Sequence, residues 1–167
     1  MEWHTLLIVV HIIGTVLGVG GATFAEIFLL KAARDGEIDP VESSFMQVTY
    51  RVIRVGLVFL VLSGFGFLML YRFTGLEERL YSPLLWSKLT IVMILFFGVI
   101  AWQAKKVPLW LGSAFSLASW YAAMLIIPLR PAITPISYFE IIGWYVVFVA
   151  VVAIALAIIR RYLGVKF

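Results

Sequence analysis

The chain has 167 residues, of which 63% are hydrophobic and 13% charged, and a formal net charge of +4. Soluble domains carry about a quarter of their residues charged. This composition, with a mean hydropathy of +1.07, excludes a surface built to face water and makes lipid the solvent. The absence of cysteine excludes disulfides, thiolate metal sites and thiol catalysis.

Five apolar stretches follow one another along the chain, and together they predict an all-α, polytopic integral membrane protein forming one domain over residues 1–167. The first runs from about Trp3 to Leu30. Its length, and Glu2 where a signal peptide would have a basic residue, read as a retained span. The second runs from about Met46 to Leu70, with a helix start moved back to Asp39-Pro40-Val41-Glu42. That tetrapeptide combines an N-cap, a first-turn proline and a capping-box acid. Thr74-Gly75-Leu76-Glu77 repeats the capping-box pattern and predicts a short helix on the membrane surface. The third span, about Pro83 to Gln103, follows Ser82; the fourth, about Pro108 to Leu129, is diluted by Ser113, Ser116 and Ser119. The fifth, about Ser137 to Ile159, follows a connection from Pro128 to Pro135. Each stretch is long enough for a hydrocarbon core of ~30 Å at about 1.5 Å per residue.

Basic residues set the orientation. Five spans place Lys31, Arg34, Arg51, Arg54, Lys105, Lys106, Arg160, Arg161 and Lys166 on one side, and Arg72, Arg79, Lys88 and Arg130 on the other. The positive-inside rule then predicts an outside N-terminus and a cytoplasmic C-terminus, with Trp3, Tyr81, Trp86, Tyr138 and Trp144 in the outer aromatic belt.

Ionisable residues inside spans are costly and are site candidates. His11 is the foremost, lying roughly 12 Å inside the outer end of the first span. Lys88 and Met93 enter the third span from that side, and Glu140 opens the fifth. Lys88 and Glu140 are therefore the candidate catalytic residues. Lys88 can also be read as snorkelling, and Glu140 as a capping-box partner of Ser137. His4, His11 and Gly18 fall near one stripe of the first helix, and Gly14, Gly18 and Ala22 make a small-residue ladder. Such a strip admits either another helix or a flat macrocycle. A b-type haem would have His11 as its metal ligand, with Gly14 and Gly18 leaving room for the porphyrin; Met93, Lys88 or the His11 of a second copy would be the second ligand, or the iron would be five-coordinate. His4 is a further candidate for cofactor binding but not for ligation together with His11, because the two point the same way along one helix. At the other end, Glu26 needs a partner in the bilayer. Arg51 and Arg54, three residues apart on one helix face, are expected to supply a structural ion pair.

Three segments carry a family resemblance: His11-Ile12-Ile13-Gly14 through Gly20-Gly21, Tyr50-Arg51-Val52-Ile53-Arg54 leading into Leu62-Ser63-Gly64, and Leu85-Trp86-Ser87-Lys88-Leu89. Over about the first hundred residues the chain resembles small bacterial membrane proteins of the copper-resistance D-like and HemJ-type protoporphyrinogen oxidase group. The resemblance implies a multi-pass protein of the bacterial inner membrane. It also implies that His11 and Lys88 take the roles of the first-span histidine and third-span lysine associated with haem and activity in HemJ-type proteins. The chain departs from that pattern in lacking the asparagine-glutamate-proline segment before the last span, and in having five spans for four.

The expected function is thus a membrane-embedded, haem b-binding redox or electron-transfer protein acting on a quinone or porphyrin-like substrate, alone, as a homodimer or in a larger membrane complex. Two other classes compete with it. One is a non-catalytic accessory subunit packing through its glycine face, and the other is a transporter-like protein with charges lining a path.

Overall fold

The computed structural model describes residues 2–32, 39–103, 109–126, 128–129 and 136–164. The structure is all-helical: α1 (Trp3–Ala32), α2 (Pro40–Phe73), a short 3-10 helix (Glu77–Tyr81), α3 (Pro83–Gln103), α4 (Leu109–Leu125) and α5 (Tyr138–Tyr162). Pro108, Lys105, Lys106, Arg130 and most of the connection before α5 lie outside the described residues.

Local chemistry sets several of these boundaries. Asp39 caps α2, its carboxylate accepting the Glu42 backbone N–H at 2.7 Å while the Glu42 side chain accepts from the Asp39 backbone at 3.3 Å. Pro40 takes the first helical position, where its missing donor costs nothing. The expected early start of this helix is borne out. Ser137 and Glu140 form the same box at the start of α5. The segment after α2 departs from expectation. Thr74 does not cap the short helix; its hydroxyl donates back to the Leu70 carbonyl at 2.7 Å and closes α2. Gly75 then takes a left-handed φ of 73°, which glycine adopts without a Cβ clash, and the surface turn that follows is 3-10.

Helix α1 pairs antiparallel with α2 along its whole length, from Leu7 against Gly66 to Phe28 stacked on Phe45. Glycines bring the two backbones together. A Cβ on Gly56 would stand 2.7 Å from the Gly18 nitrogen and 2.8 Å from the Gly14 carbonyl oxygen. No side chain fits there, and the close approach maximises dispersion contacts in a solvent that gives no hydrophobic drive.

Helix α4 is central, packing against α1, α3 and α5. Its Ser113 lies at the end of the bundle that holds Glu26 and Arg160. Its Ile126 joins Leu84 of α3 and Ile141 of α5 in a cluster at the opposite end. The five helices therefore alternate in direction. The serines that dilute the apolar run of α4 face neighbouring helices: Ser119 is fully buried and bonded to Tyr145 at 2.8 Å. Trp120 is also fully buried, and its ring fills the space beside Gly18.

Four helices (α1, α2, α3 and α5) are long and apolar enough to cross a membrane. Helix α4, with 17 residues, rises only about 26 Å. The outer surface is apolar, with Val16, Leu62 and Ile158 being 63%, 62% and 63% exposed. Patches of this kind on a helical bundle are covered by lipid or by another protein.

Candidate functional site

A chain of polar side chains crosses α3, α1 and α2. Lys88 Nζ lies 3.0 Å from His11 Nε2, and His11 Nδ1 lies 2.8 Å from Ser63 Oγ. The Ser63 hydroxyl is directed to the Phe59 carbonyl at 2.6 Å, with a longer contact to Leu60 at 3.1 Å. One tautomer of His11 satisfies every group in this network. Ser63 donates its O–H to the backbone, so its oxygen accepts from His11 Nδ1–H. The Nε2 lone pair then accepts from the Lys88 amino group. Ser63 is 1% exposed, while His11 and Lys88 are half-buried.

The His11–Lys88 pair accommodates one positive charge and not two. A second proton would remove the Nε2 lone pair and leave two cations 3.0 Å apart. At an effective dielectric of about 20 their repulsion is about 5 kcal/mol. The proton can sit on either partner, with the other kept neutral.

The neighbours of the pair come from the helix pairing. Phe67 stands edge-on to both His11 and His4, with ring centroids 5.7 and 6.0 Å away. Thr15 donates to the His11 carbonyl at 2.9 Å. Thr90, two residues beyond Lys88, meets Tyr138 of α5 at 3.0 Å.

The other expected site residues stand elsewhere. His4 is exposed and rests against Phe67, so it adds no ligand to the His11–Lys88 pair. Met93 is 47% exposed on the outer surface of α3. Gly14 and Gly18 leave no strip for a porphyrin: Gly14 meets the α2 backbone at Gly56 and Leu60, and Gly18 meets Trp120. Glu140 is exposed, and its carboxylate accepts from the Ser137 N–H at 2.8 Å and hydroxyl at 2.7 Å. It is the capping residue of α5. Among the described residues, no group of three or more histidines and carboxylates comes together as a metal site.

Glu26 has the buried ion pair expected of it, but with a different partner. Arg160 Nη2 donates to Glu26 Oε1 at 2.5 Å and to Ser113 Oγ at 2.7 Å. The side chains of Arg160 and Glu26 are 6% and 5% exposed. Arg51 and Arg54 are exposed on α2 and form no ion pair with Glu26. The physical reason is helix phase: Glu26 faces α4 and α5, where the last turn of α5 arrives. Arg160 and Arg161 sit about 100° apart on that helix, so one is buried and the other exposed. Alternation of span direction was the available signal, because it puts the end of the last span level with Glu26. Ser63 entered the sequence reading only within the Leu62-Ser63-Gly64 segment of the resemblance, with no role attached to it.

No family model, curated protein or solved structure matches this chain.

Proposed function

We propose that this chain is a five-span protein of the bacterial inner membrane whose working centre is the Lys88–His11–Ser63 chain. The centre exchanges protons with a lipid-soluble or porphyrin-like redox substrate. The observation that carries this reading is the 3.0 Å contact between Lys88 Nζ and His11 Nε2. An amine and an imidazole sharing one charge inside an apolar bundle are costly to bury and have no evident structural use that a pair of leucines would not serve better. Both side chains are half-buried, which leaves them accessible to a substrate dissolved in the bilayer. Further support comes from the resemblance to HemJ-type proteins, because the two residues onto which its roles carry over are the two that bond to each other.

The residues as they stand do not fit haem b. Both imidazole nitrogens are engaged, and the glycine strip is filled by α2 and Trp120. Two nitrogens ligating one metal from opposite faces would stand about 4 Å apart at ~2.0 Å per bond, and a macrocycle would have to part α1 from α3. Redox chemistry at this site therefore assigns the protein the proton half of the reaction. Visible absorption of the purified protein decides the matter: no Soret band is expected, whereas a Soret band abolished in His11→Ala would replace the proton-exchange reading by haem ligation.

The orientation proposed is N-terminus outside, which puts the pair in the outer half of the bilayer. The nine-to-four distribution of basic residues in the sequence and the alternating helix directions support it.

A further inference from the structure

Glu26 is 4% exposed, and only one of its oxygens is used. Oε2 is buried with no hydrogen-bond partner among the described residues. An acceptor left bare in a protein interior loses its solvation without compensation, and that cost marks a place where a donor belongs. Glu26 lines a cavity of about 190 Å³ between α1, α2, α3 and α4. Its walls include Ala22, Ala25, Tyr50, Ile53, Arg54 and Glu26 itself. It is mostly apolar, and it is remote from the outer site: Glu26 and His11 are about 22 Å apart along α1.

Size and charge narrow the ligand. A dry apolar cavity of about 150 Å³ accepts benzene, so about 190 Å³ suits one six-membered ring with a small substituent. Glu26 is already neutralised by Arg160, and Arg54 adds a second positive charge to the wall. A cationic ligand would meet excess positive charge, and an anionic one would meet the bare Glu26 oxygen. A neutral donor meets neither.

We infer that this cavity is a binding site for a hydroxylated aromatic ring of the phenol or quinol type, whose O–H donates to Glu26 Oε2. The small side chains of Ala22 and Ala25 leave room for the ring. The site does not depend on the chemistry assigned to Lys88 and His11.

The test uses full-length protein in detergent and phenol as the probe, with binding followed by saturation-transfer NMR and calorimetry. Anisole replaces the donor hydrogen by a methyl group, and benzylammonium replaces the neutral donor by a cation. Saturable phenol binding is expected, with anisole at least tenfold weaker and benzylammonium weaker still. Ala25→Leu fills the cavity without touching a polar group and should abolish phenol binding. Ala22→Leu provides the same test should Ala25→Leu fail to fold. Equal binding of anisole and phenol, tighter binding of benzylammonium, or unchanged phenol binding in a folded leucine variant would each overturn the assignment.

Discussion

Replacing Glu26 by glutamine removes the charge that neutralises Arg160 in the bundle interior. In the native chain the guanidinium donates to Glu26 Oε1 at 2.5 Å and to Ser113 Oγ at 2.7 Å, and both members of the ion pair are about nineteen-twentieths buried. Breaking a buried pair from one side costs about 3–5 kcal/mol, since the remaining charge stays in a poor solvent. With roughly 2–4 °C per kcal/mol for a chain of this size, Glu26→Gln should lower the melting temperature in detergent by roughly 6–20 °C. Arg160→Met alone should cost a similar amount. The double variant should recover most of the loss, because an uncharged pair of similar volume is often neutral. Circular dichroism melts of the four proteins, at matched detergent and scan rate, complete the cycle. Additive losses would refute the pair. So would equal coupling of Glu26 to Arg51 or Arg54, whose side chains are exposed.

Other expected outcomes follow from packing, capping and topology. Gly56→Ala would place a methyl 2.7 Å from the Gly18 nitrogen, so it should part α1 from α2 and lower the melting temperature well below that of Gly64→Ala, where the space is open; equal stability of the two would remove the close crossing. Glu140→Ala should cost about 1 kcal/mol of stability as a lost half of a capping box, with no change in spectra or ligand binding assigned to Lys88 and His11. Loss of such binding would return Glu140 to the site. A membrane-impermeant thiol reagent added to intact cells should label a single cysteine at Thr74 and spare one at Ser44, and the reverse pattern would invert the orientation.

The sequence made visible what depends on neighbours along the chain. Asp39 and Glu42, three residues apart, declare their cap without any knowledge of the fold, as do Ser137 and Glu140. His11 and Glu26 stand out for a related reason, since each is an ionisable group deep within one apolar run. What joins them to other helices was less legible. Glu26 was assigned to the basic residues of the next span, but partnership across a bundle depends on helix phase, and the phase of α1 turns Glu26 toward α4 and α5. The small-residue face at Gly14 and Gly18 was legible as a surface of close approach, while its occupant was not. Gly56 on α2 and Trp120 on α4 fill it, and neither is marked by local pattern. The serines of α4 weakened its apolar signal because a central helix is shielded from lipid by its neighbours, and interior hydroxyls such as Ser119 find partners there. His11 and Lys88, joined in the sequence only by resemblance, are in contact across α1 and α3, and Met93 is exposed.

The most direct measurement on the Lys88–His11–Ser63 chain is nitrogen-15 NMR of histidine-labelled protein in nanodiscs, since the chain has only two histidines. One set of imidazole signals is expected from His11, with Nδ1 protonated and Nε2 a hydrogen-bonded acceptor. Lys88→Met should shift that Nε2 signal and leave the exposed His4 unchanged. A His11 spectrum indifferent to Lys88, or one with Nε2 protonated and Nδ1 bare, would contradict the proton-exchanging pair.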